Sequence, residues 1–139
     1  MYAPKNFTAS ATLTRSDADT VLTVNAAAGL TLTLPAAAGT GDTYEIVVGT
    51  TITSNNLVVQ VANASDVMTG THIMGQDAGD TVVLFETAAT SDTITMNGST
   101  KGGIKGDRIT LKDVAANLWL VTIIGSSTGT EATAFSAAV

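Results

Sequence analysis

The chain has 139 residues, 6 basic against 12 acidic side chains and a net charge of −6, with only 13% charged residues. It contains no cysteine and one histidine, which excludes a disulfide scaffold, an iron–sulfur cluster, a cysteine zinc site, thiol catalysis and a histidine metal cluster. The acidic balance argues against a duplex nucleic-acid binder, which needs a basic footprint, and no apolar run reaches the ~18 residues of a membrane-spanning helix.

The first dozen residues carry no period and include Pro4, so they are expected to form an extended arm. Alternation begins at Ala11-Thr12-Leu13-Thr14. Val21-Leu22-Thr23-Val24 follows the turn-like Ser16-Asp17-Ala18-Asp19. Ala26-Ala27-Ala28-Gly29 is too short for a helix and reads as a loop. Leu30 to Leu34 is a strict period-two strand with three leucines on one face, closed by Pro35, which cannot donate to a ladder. After the small-residue loop 36–42, Thr43 to Val48 places Tyr44, Ile46 and Val48 on one side. Leu57 to Val61 is a further strand.

Asp66 to Asp80 is the least regular stretch and is expected to be a loop. Thr81 to Glu86 reads as a buried strand, and Asp92 to Met96 alternates up to the turn Asn97-Gly98. Lys101 to Gly106 reads as a flexible loop. Asp107 to Lys112 and Leu118 to Ile124 are strands around the turn Ala115-Ala116-Asn117. A polar tail begins after Gly125. Without a secretory h-region at the N-terminus, no export signal is expected. About nine strands at 8–12-residue spacing and no helix predict one all-β domain, a sandwich or barrel over residues 13–125. The arm, 1–12, and the tail, 126–139, flank it.

Residues that could carry chemistry are sparse. His72 lacks a nucleophile elbow and is expected to make an ordinary loop contact. Asp77 with Asp80, and Asp17 with Asp19, lack a calcium-loop pattern; turn capping by the side chain explains them better. Gly98 to Gly103 has neither the spacing of a phosphate loop nor a following helix. No catalytic residue, metal or cofactor is expected. Lys101, Lys105, Arg108 and Lys112 gather four of the six basic residues. They form either a patch that docks on an acidic surface or a solvated hairpin whose edge lysines protect. Trp119, the single tryptophan, reads as a core anchor.

Two stretches carry a resemblance. The first runs from Val21-Leu22-Thr23-Val24 through Leu30-Thr31-Leu32-Thr33-Leu34-Pro35-Ala36-Ala37-Ala38-Gly39 to Asp42-Thr43-Tyr44-Glu45-Ile46-Val47-Val48. The second runs from Gly106-Asp107-Arg108-Ile109-Thr110-Leu111 to Trp119-Leu120-Val121. Together they resemble small β-rich virion proteins of tailed bacteriophages, head decoration (cement) proteins above all, and also tail-fibre modules. The resemblance implies a jelly-roll or β-tulip-like domain, no enzymatic activity, and a homotrimer on the outer surface of the capsid. The subunits would be made in the bacterial cytoplasm and bind the major capsid protein, without nucleic acid or membrane. A receptor-binding fibre module is the alternative. On this reading Tyr2, Pro4 and Phe7 of the arm, Lys101, Lys105 and Arg108 of the basic loop, and Phe135 of the tail are the expected capsid contacts.

Overall fold

The computed structural model describes residues 3–139. Its regular structure is almost wholly strand, in two mixed sheets, apart from one 3-10 turn at Arg15–Asp17. Seven strands make the larger sheet: β1 (Lys5–Phe7), β3 (Val21–Val24), β5 (Thr43–Val48), β10 (Arg108–Ala115), β11 (Leu118–Ser126), β7 (Val67–Gly75) and β8 (Val82–Glu86), in that spatial order. Five make the smaller: β12 (Phe135–Ser136), β9 (Thr93–Met96), β6 (Leu57–Gln60), β4 (Leu30–Thr33) and β2 (Ala11–Thr12). Neither strand order closes a barrel among the described residues.

From β1 to β7 the chain changes sheet at every step. Each return to a sheet therefore runs in the same direction as the last visit. This is why β1, β3 and β5 pair in parallel, and β2, β4 and β6 likewise, with no α-helix in the connections, only the 3-10 turn Arg15–Asp17 between β2 and β3. Parallel neighbours usually need a helical crossover; here a strand of the other sheet serves. The hairpin β10–β11 is antiparallel, with a bulge between Asp113 and Ala115 beside the turn. β11 then lies parallel to β7.

Period-two alternation sends one side of most strands, β8 excepted, into a single shared core. Leu22 and Val24, Leu30 and Leu32, Ile46 and Val48, Leu57 and Val59 are all buried in it. Trp119 is 1% exposed. Its ring meets Tyr44 edge-on with centroids 5.7 Å apart, so it is the core anchor its type suggested.

Several expectations are corrected. Residues 5–12 do not form a free arm. Lys5–Phe7 pairs with Val24's strand and Ala11–Thr12 pairs with Leu32–Thr33. The tail contributes β12, paired with Ile94 and Thr93. Residues 67–75, expected as a loop, form one of the two longest strands. Its inward positions are Met68, Gly70, His72 and Met74, none a strong strand former. Gly70 sits at φ +150°, and a Cβ there would lie 1.8 Å from the carbonyl oxygen of Val121; only glycine lets β7 approach β11 so closely. β8, expected to be buried, is an exposed edge strand.

Candidate interaction face

Buried carboxylates fix the loops at both ends of the sheets. Asp113, buried on β10, accepts hydrogen bonds from the backbone N–H groups of Ala38, Gly39 and Thr40 and from the Thr40 hydroxyl, at 2.6–3.1 Å. Burial pushes its pKa up, but these donors outweigh it and hold the carboxyl below the usual range. Asp107 accepts from Gly103, Ile104 and Ser126. There burial wins, and the pKa is raised. Asp92 holds the last two residues through the N–H groups of Ala138 and Val139. Asp17 accepts from the Thr14 N–H and pairs with Lys5, so it does cap its turn as expected. The segment 97–107, expected to be flexible, is tied down. Asn97 Oδ1 accepts from the N–H groups of Ser99 and Lys101, and Gly103 O accepts from Ile52 N–H.

One broad surface is left uncovered: the outer face of the larger sheet. Strand register lays out its rows. Leu84 of β8 lies beside Ile73 of β7, Ile73 beside Ile124 of β11, and Ile124 beside Arg108 of β10. Two residues along, Glu86, Thr71, Thr122 and Thr110 make a polar row, and beyond it Leu120 lies beside Lys112. Of the large apolar side chains on this face, Val82 (64%), Leu84 (51%), Ile124 (45%) and Leu120 (44%) are exposed, and Ile73 is half-buried. Val114, near the bulge, is also exposed. Arg108 and Lys112 flank the apolar residues, and neither has an ion-pair partner within 4.0 Å among the described residues. An apolar area rimmed by charge is the composition of a docking surface.

The expected contact residues do not converge on one site. Tyr2 lies outside the described residues. Pro4 is exposed just before β1, at the edge of the sheet opposite β8. Phe7 and Phe135 are each 7% exposed and belong to the core, so neither is a free anchor. Lys101 is half-buried, Lys105 exposed at a turn, and Arg108 exposed on the sheet. β10 is central, between β5 and β11, so its basic residues protect no edge. The row of Leu84, Ile73 and Ile124 was not foreseen. Its signal lay in Leu118 to Ile124, a strand apolar on both faces, which one core alone does not require.

His72 is fully buried on β7 rather than in a surface loop, and neither ring nitrogen has a hydrogen-bond partner. Two shallow depressions, of about 250 and 330 Å3, lie over Val21 and Glu45 and over Thr12 and Thr31. Neither contains His72. Comparison of the chain with protein-family models, curated proteins and solved structures gave no match.

Proposed function

We propose that the chain is a structural subunit of a bacteriophage virion, a head decoration protein that binds the assembled shell across coat-protein seams. The observation that carries the reading is the uncovered outer face of the seven-stranded sheet, with Leu120 and Ile124 beside Arg108 and Lys112. Two core-sharing sheets, read as a sandwich, give that face a stiff backing, and the carboxylate-clamped loops add rigidity without a cofactor. The basic residues suit an acidic surface on the major capsid protein. The mechanism is passive. A subunit that binds only the assembled shell stabilises that shell by mass action. The subunit would sit on the outer surface of the capsid.

Because residues 5–12 are part of the fold, the contact is assigned to the sheet face and not to an N-terminal arm. The test is copy number in purified virions against the major coat protein. Near parity with coat supports decoration. A few copies favour a tail-fibre or receptor-binding module, and absence overturns both. Ile124→Glu with Lys112→Glu should fold normally and lose binding to shells stripped of the protein. Unchanged binding would move the contact off this face.

A further inference from the structure

Of the four sheet edges among the described residues, three are poor templates for another strand. β2 and β12 are two residues long, and β1 carries Lys5 directly after Pro4. Short edges, lysine and proline all discourage edge pairing. β8 has none of these devices. It is five residues, Val82-Val83-Leu84-Phe85-Glu86, with no lysine or proline.

The hydrogen-bond phase of β8 is fixed by its ends. The Gln76 N–H donates to Thr81 O, and the Thr87 N–H donates to Gly70 O. In an antiparallel ladder, directly bonded pairs recur at every second residue. Val83 and Phe85, opposite Met74 and His72, therefore turn their N–H and C=O groups toward β7. Val82, Leu84 and Glu86 turn theirs toward the open edge.

We infer that β8 pairs antiparallel with β8 of a second copy of this chain, about a twofold axis through Leu84. The pattern is self-complementary. Leu84 meets Leu84 as a directly bonded pair, and Val82 of each copy meets Glu86 of the other, again directly bonded. Every backbone group aimed at the open edge between Val82 and Glu86 is then satisfied. Charge selects this direction: antiparallel pairing sets each Glu86 opposite a valine, whereas parallel pairing in register sets Glu86 against Glu86. The apolar row also becomes continuous. Ile124, Ile73 and Leu84 of one copy run straight into the same three residues of the other, with Arg108 at each end. The result is one fourteen-stranded sheet made of two seven-stranded ones.

Sedimentation of the full chain tests this. The wild type should sediment as a dimer at micromolar concentration. Leu84→Pro removes an N–H that only the dimer uses and leaves the β7 ladder its own donors, so it should be a folded monomer. Leu84→Lys places like charges on the axis and should also be monomeric; it gives the same reading if the proline variant fails to fold. The chain has no native cysteine, so Leu84→Cys treated with a short bis-maleimide should be trapped as a covalent dimer, while Thr110→Cys on the same face should not. A monomeric or trimeric wild type, dimers that survive both Leu84 variants, or equal trapping at Thr110 would each overturn the inference.

Discussion

The imidazole of His72 and the ring of Phe135 meet edge-on, with centroids 6.2 Å apart and planes at 75°. One belongs to the long strand β7 and the other to the two-residue strand β12, so the contact joins the larger sheet to the C-terminal segment. Gly102 closes the pocket: a Cβ there would sit 3.5 Å from His72 Nε2 and 3.1 Å from Asp107 Oδ2.

Burial of that imidazole makes the fold acid-sensitive. Burial lowers the His72 pKa from 6.5 to about 4. Between these values the unfolded chain takes up a proton that the folded chain refuses, so stability is full above pH 6.5 and falls as the pH drops toward 4. Asp107, whose pKa is raised by burial, acts in the opposite sense and offsets part of the loss. The His72 shift alone corresponds to about 3 kcal/mol at ~1.4 kcal/mol per pH unit, and the net loss is smaller because Asp107 opposes it. Urea denaturation across this range should show it, and His72→Leu should flatten the dependence. An unchanged slope in that variant would place the acid sensitivity elsewhere.

Asp113→Asn should cost about 2–3 kcal/mol, because an amide cannot accept the donors of Ala38, Gly39 and Thr40 on two charged oxygens. The depressed pKa adds a pH signature. The contribution of Asp113 is present above the ordinary carboxylate range and is lost as the pH falls through the lowered folded value. Comparing melting temperatures of the two proteins at neutral pH and at pH 3 checks both: the gap should narrow in acid.

Removal of residues 2–10 should destabilise the domain itself. It deletes β1 and the buried ring of Phe7, and Phe7→Ala alone should cost about 3 kcal/mol. A deletion that left the melting temperature unchanged would show that β1 adds nothing to the core.

Gly70→Ala should prevent normal folding or cost at least about 3 kcal/mol, since the side chain meets the Val121 carbonyl at a φ that L-residues rarely adopt. Soluble yield and urea midpoint report it. Gly79→Ala, at φ +88° with nothing within 4 Å, is the control for strain without the clash.

Local alternation was enough to read Val21–Val24 and Thr43–Val48 with their bounds intact, because β-branched and large residues there mark the inward face. It was not enough for β7, whose inward residues are Met68, Gly70, His72 and Met74. The pairing that makes this a strand comes from β11, far along the chain. Nor does alternation distinguish an edge strand from a central one, so Thr81 to Glu86 reads as buried, and edge protection stands beside a docking patch as a reading of the basic residues around β10. Phe7 and Phe135 stand alone among small residues. Only the tertiary fold shows that each is a core residue on a short edge strand.

The passage of the chain back and forth between sheets has a mechanical meaning. A cut in the exposed segment 62–65 would leave both fragments with strands in both sheets. The first would hold β1, β3 and β5 in one and β2, β4 and β6 in the other; the second would hold β7, β8, β10 and β11 opposite β9 and β12. Neither fragment could peel away as a whole sheet, for each is bonded to the other at β5–β10 and again at β6–β9. The nicked molecule is stitched along two seams, and separating the pieces means unravelling both sheets at once.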